Sequence, residues 1–308
     1  MMVEVADDMA ENVLSSPRHR SRRTLNFTDE TLDDLTGLIS RDFGRPLSKS
    51  DMEGELHAWL HYRARLIPQR PRKAIWSANA QAAALRIPAV RRIAAVLEAG
   101  GDVSPWLSNR VRMRKDDNQA DLLFNDWQIS HFHTSEIFST SSGIRRRDDL
   151  LFAFVRANYA VLLDVLPHKG SWTNQDLIRT LLRTSPRDVP ELQGIRPPRE
   201  PPDGNETKRL REARMNGFIV IEDKVYMAPG FGLSGSGSAT RIVRFADKLM
   251  LTMRDVKNAI TANNPLVVGP LAGQIGLPVT LGLRFQGGLF TVYEKQRRHD
   301  ITHIGPLE

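Results

Sequence analysis

The stretch "NDWQISHFHTSEIF", residues 125–138, places Asp126, Trp127, His131 and His133 close together. Histidine titrates nearest neutral pH, so it can take or give a proton, and its neutral ring can ligate a metal. At alternate positions on a strand, His131 and His133 share one face. With His168 and Asp126 they form a candidate ligand set. Three or four N/O ligands with an open position suit a divalent transition metal such as Zn, Mn, Fe or Ni. The same imidazoles can instead work without metal as acid and base. A third reading makes at least one of the pair a structural core residue.

Two further constellations call for weighing. Gly230, Gly232 and Gly235 spell G-x-G-x-x-G before a helical segment. A dinucleotide fold needs that spacing after a parallel strand, but the preceding strand reads as the second arm of a hairpin. The serines around it favour a mobile loop, and a backbone anion nest at the following helix start is the alternative. His57 and His61 lie one helical turn apart, beside Arg63 and Arg65 and without the Glu of a zincin motif. The expectation is exposed helical residues.

Charge is unevenly distributed. The chain carries a formal +7. From His61 to Lys115 stand twelve basic residues: Arg63, Arg65, Arg70, Arg72, Lys73, Arg86, Arg91, Arg92, Arg110, Arg112, Arg114 and Lys115. Only Glu98 and Asp102 oppose them, so the rest of the chain is net acidic. Such a block makes a field that attracts polyanions, and a solvated face is the bland alternative. Arg63, Arg65, Arg70, Arg72, Arg110, Arg112, Arg114 and Lys115 are the candidate nucleic-acid contacts.

The chain has 308 residues, 41% of them apolar, enough for a real core. It has no cysteine, which excludes disulfides and every thiolate-based metal or nucleophile scheme. No apolar run approaches the length of a membrane span, and the acidic N-terminus lacks a signal-peptide core. A cytoplasmic protein with no membrane partner is expected.

The elements that must position these residues divide the chain. Residues 1–26 read as a mobile tail. A basic helical region follows over 27–115. It opens with Thr28 as N-cap before Asp29 and Glu30, and it holds a helix over about 50–66 and a pair of helices around Pro88. Residues 116–189 read as a small, mainly antiparallel sheet, "WQISHFH", "DLLFAFV" and "AVLLDVLPH", followed by a helix from about Asn174. Five prolines mark 190–205 as a linker. The region 206–308 reads as two hairpins around a long amphipathic helix. Helices first and mixed segments afterwards make this an α+β chain, not an alternating βαβ one.

"HFHTSEIFSTSSG" resembles the first cupin motif, with His131, His133, Glu136 and Gly143 in its roles. The His-to-Glu gap is short, however, and "PHKGSWTN" does not supply the second motif. His133-Thr134-Ser135 matches one H-x-S/T motif of the 2H phosphoesterases, but there is no second copy. The order of strands, arginine loop and "PHKGSW" over 122–183 resembles the compact sheet of RelE-like and barnase-like ribonuclease toxins. The pattern also looks like a recurrent bacterial module. The toxin resemblance implies metal-independent RNA cleavage by scattered basic and acid/base side chains. His131 or His133 would take the 2′-OH proton, and His168 would protonate the leaving oxygen. Arg145 or Arg147 would neutralise the phosphorane, with Lys169 in reserve. The expected function is therefore action on nucleic acid, RNA favoured, as a metal-independent endoribonuclease with no cofactor. The alternatives are a non-enzymatic module that binds nucleic acid or a protein partner or inhibitor, and a metal-dependent hydrolase built on the His-x-His pair.

Overall fold

A computed structural model describes residues 25–47, 51–108, 111, 121–134, 148–167, 171, 174–213, 215–274 and 277–306. They form an α+β fold with two four-stranded sheets and a separate hairpin.

The first sheet joins the two ends of the chain. β1 (Phe27–Asp29) pairs in parallel with β8 (Val279–Gln286), and β9 (Leu289–Glu294) and β10 (His299–Ile304) follow antiparallel in the order β1-β8-β9-β10. Thr28 is therefore in a strand, not at a helix cap. The side chain of Asp29 makes the switch to α1 (Thr31–Phe43), where Oδ1 accepts from Thr31 N–H at 3.1 Å and from Thr31 Oγ1 at 2.7 Å. Leu25, which the sequence assigns to the tail, is buried in this core, and the Asn26 carbonyl accepts from Val279 N–H.

α1, α2 (Met52–Arg65) and a long helix (Thr240–Thr261, α8 below) cover this sheet through Leu35, Ile39, Trp59, Leu60, Ile242, Leu249 and Met253. Trp59 meets Phe285 and Phe290 edge-on at ring-centroid distances of 5.7 and 5.8 Å. Asp51 caps α2 by accepting from Gly54 N–H.

The second sheet has the order β2-β5-β4-β3. β2 (Lys73–Trp76) escapes a reading by alternation because it is short and charged at one end, yet it pairs in parallel with β5 (Tyr159–Pro167). β5 is antiparallel to β4 (Asp149–Val155), and β4 to β3 (Ile129–His133). Leu151, Ala153, Ala160 and Leu162 face α3 (Ala78–Arg86) and α4 (Pro88–Ala99). Leu150, Phe152, Phe154, Val161 and Leu163 face the opposite way. There they meet α5 (Leu122–Trp127), α6 (Gln175–Thr184) and the hairpin of β6 (Phe218–Ile221) and β7 (Lys224–Met227). Burial on both faces explains why "LLFAFV" is apolar without alternation. α7 (Gly204–Glu212) lies between α6 and that hairpin in the chain, and α8 follows it.

Pro88 occupies the first turn of α4, and Gly100 ends it at φ 74°. The β6–β7 turn uses Glu222 and Asp223 at φ 51° and 60°, both left-handed, as a two-residue hairpin requires.

Candidate anion-binding cleft

A cleft of about 550 Å³ opens where the two sheets meet. The last turn of α2 and the segment after it bring Arg63, Arg70 and Arg72. The β4–β5 turn brings Arg156, and the first turn of α8 brings Arg241. Phe124, Gln128 and Ser130 line it from α5 and β3, and Phe285, Gly287 and Gly288 from the β8–β9 hairpin. Asp102 is the only acid among the described lining residues.

Four of the arginines are held by identifiable contacts. Arg72, 4% exposed, donates to the carbonyls of Pro68, Arg70 and Arg156 at 2.8–2.9 Å, so it ties the post-α2 segment to the β4–β5 turn. Its role is chiefly to shape the wall. Arg63 reaches Asp42 at 3.3 Å and lies over the Phe285 ring, 4.7 Å from its centroid. Arg156 donates to Gln128 Oε1 at 2.7 Å and covers Phe154. Arg241 lies 4.5 Å from the Phe124 centroid, close enough for a cation–π contact. Burial pulls its guanidinium down to about 10, first by desolvation and then through the charge of Arg156.

A buried pair adjoins the cleft. Asp121 caps α5 by accepting from Phe124 N–H at 3.1 Å. Its Oδ2 accepts from Arg65 Nη2 at 2.8 Å and lies 3.3 Å from His131 Nδ1. Burial alone would raise this carboxyl. The neighbouring His131, then Arg65 and the Phe124 N–H, outweigh it and hold the group below the ordinary carboxylate range. Arg65, Asp121 and His131 line a small cavity that shares Phe124 and Ser130 with the cleft.

The strand histidines share one face as expected, with ring centroids 6.2 Å apart. They do not stand on an open sheet, because His131 and His133 are 7% and 8% exposed. Among the described residues no group of three or more His, Asp and Glu side chains is placed to hold a metal ion, and Asp126 joins no such set. Of the other expected catalytic residues, Arg145, Arg147, His168 and Lys169 lie outside the described residues, as do Arg110, Arg112, Arg114 and Lys115. Of the expected nucleic-acid contacts, Arg63, Arg70 and Arg72 come together in the cleft, and Arg65 lies beside it. Arg86, Arg91 and Arg92 point instead to the outer surface of α3 and α4.

No local pattern in the sequence marks Arg156, Phe124 or Asp121. Arg241 does carry a signal, because the first turn of α8 contains no acid where the helix dipole favours one. His61 is corrected. It is buried, 3% exposed, and not an exposed helical residue, with Arg241 and Arg65 close enough to act on it. Neither of its ring nitrogens has a hydrogen-bond partner among the described residues. The glycine loop is explained by packing. A Cβ on Gly230 would collide with the Asn125 carbonyl, and the Gly230 N–H donates to Asp126 O.

No helix among the described residues is long and apolar enough to cross a membrane. Comparison with protein-family models, with curated proteins and with solved structures finds no match.

Proposed function

We propose that the protein binds a single nucleic-acid strand, RNA in the first instance, along the arginine cleft. The observation that carries this reading is the convergence of Arg63, Arg70, Arg72, Arg156 and Arg241 on one cleft, where Asp102 is the one acid among the described lining residues and Asp42 pairs with Arg63. Guanidinium groups suit phosphate oxygens because their planar fork donates in pairs. A cleft of about 550 Å³ suits one strand better than a duplex. The test is fluorescence anisotropy with a labelled 20-nucleotide single-stranded RNA, the matching DNA and the duplex. Arg63→Ala with Arg156→Ala should weaken RNA binding at least tenfold. Equal binding by wild type and double variant would remove the reading.

A second reading, metal-independent RNA cleavage, draws support from the Asp121–His131 contact beside the cleft. A carboxylate on Nδ1 fixes the tautomer and orientation of the imidazole, as a general base requires. Its test is RNA cleavage by wild type and His131→Ala in EDTA.

A further inference from the structure

Within the cleft, Arg241 differs from Arg63, Arg72 and Arg156. Its Nε and Nη2 have no solvent exposure and no hydrogen-bond partner among the described residues, and the preceding residue's Thr240 Oγ1 is in the same condition. Buried polar groups without partners are costly, and a guanidinium more than most. The Phe124 ring packs on the guanidinium but is no conventional hydrogen-bond acceptor for it. Arg241 also stands in the first turn of α8, a 22-residue helix whose Ala239 N-cap gives no side-chain cap. An anion there would meet the positive helix end.

The local charges indicate which anion. Arg65, Arg156 and Asp121 are the charges that act on Arg241. Asp121 is committed to Arg65 at 2.8 Å, and Arg156 and Arg241 are left as an excess of two positive charges. His61, also close enough to feel Arg241, is neutral near physiological pH, since burial first and Arg241 second lower it to about 3. An internal phosphodiester brings one negative charge. A phosphate monoester brings about 1.5 to 2 at neutral pH and three acceptor oxygens.

We propose that Arg241, with Arg156, forms a phosphate-monoester site on the inner wall of the cleft. The site takes the terminal phosphate of the bound strand. Naming the strand end as the source rests on the nucleic-acid reading above, whereas the monoester site itself does not. The end of a strand can reach a guanidinium whose Nε and Nη2 are buried in the wall, while an internal phosphate is held back by the sugars on both sides.

The experiment compares 12-nucleotide RNAs bearing a 5′-phosphate, a 3′-phosphate or hydroxyls at both ends, against wild type, Arg241→Gln and Arg241→Lys. Inorganic phosphate and a nucleoside monophosphate are measured alongside by thermal shift. One phosphorylated end should bind wild type at least tenfold tighter than the hydroxyl-ended strand. That advantage should fall below twofold in Arg241→Gln and return in part in Arg241→Lys. Equal affinity for all three strands, or an advantage that survives Arg241→Gln, overturns the proposal. If Arg241→Gln does not fold, the wild-type comparison decides alone. If no RNA binds but inorganic phosphate or the monophosphate raises the melting temperature through Arg241, the monoester site stands and the nucleic-acid reading falls. If neither RNA nor phosphate has any effect, both fall.

Discussion

Arg65 Nη2 donates to Asp121 Oδ2 at 2.8 Å, with side chains only 10% and 5% exposed. The pair links the end of α2 to the start of α5, and so joins the two sheets at the cleft. Removing one partner of a buried pair leaves an uncompensated charge, which typically costs about 3–5 kcal/mol. Asp121→Ala also loses the α5 cap and the contact to His131. Chemical denaturation should show a loss within that range, and a change under about 1 kcal/mol would contradict the placement of this pair.

His61 should give the protein an acid-sensitive stability. In the unfolded chain it takes up a proton near its ordinary value of 6.5, whereas in the folded protein it does so only near 3. A depressed histidine therefore contributes stability that is complete above the ordinary value and is lost as pH falls between the two. The loss at pH 5 amounts to about 2 kcal/mol. Urea melts of wild type and His61→Leu at pH 7.5, 6.0 and 5.0 should diverge by that amount on the acid side. Parallel profiles would show that His61 is exposed to protons in the folded state. Asp121 acts in a lower window. Its depressed carboxyl stabilises above its ordinary value and stops doing so as pH falls through the folded one.

Gly230 is required by the backbone beside it. A methyl group there meets the Asn125 carbonyl, which cannot swing away like a flexible side chain. Gly230→Ala should destabilise by about 2 kcal/mol or more. Gly235→Ala, with nothing near its Cβ, should fall within about 0.5 kcal/mol of wild type. Similar melting temperatures for the two variants would contradict the packing of this loop on α5.

Much of this architecture is legible in the sequence. The strands around "LLFAFV" and "AVLLDV", the helix capped by Asn174, the Pro88 helix start and both tight hairpins follow from local signals. Strands whose identity comes from distant partners are not legible. β1 is three residues long and depends on β8, about 250 residues away in the chain, and β2 needs β5. The same limit governs the site. Clustered basic residues expose Arg63, Arg65, Arg70 and Arg72, but Arg156 and Arg241 reach the cleft only through tertiary packing. The alternation of His131 and His133 correctly predicts a shared face, while no local pattern reveals that α5 and the β6–β7 hairpin pack on that side of the sheet.

Binding should weaken steeply with salt. Three to five phosphate contacts imply a slope of about −2 to −3.5 for log K against log[salt] on a single strand. Arg63→Ala and Arg156→Ala should each flatten it. Binding that is indifferent to salt between 50 and 200 mM would point to stacking or apolar contacts in place of the arginines.

The cleavage reading has its own outcome. RNA should be cut in EDTA by wild type and left intact by His131→Ala, with RNA affinity in the variant within about threefold of wild type. Intact RNA after prolonged incubation with wild type would remove the enzyme reading and leave the binding reading untouched.

The most direct measurement of the central claim is a photocrosslink map with 4-thiouridine-substituted single-stranded RNA. Crosslinked peptides are expected from residues 63–72, from 124–130 and from the β8–β9 hairpin at 285–288, the segments that line the cleft. Crosslinks confined to the outer surface of α3 and α4, around Arg86, Arg91 and Arg92, would contradict that claim.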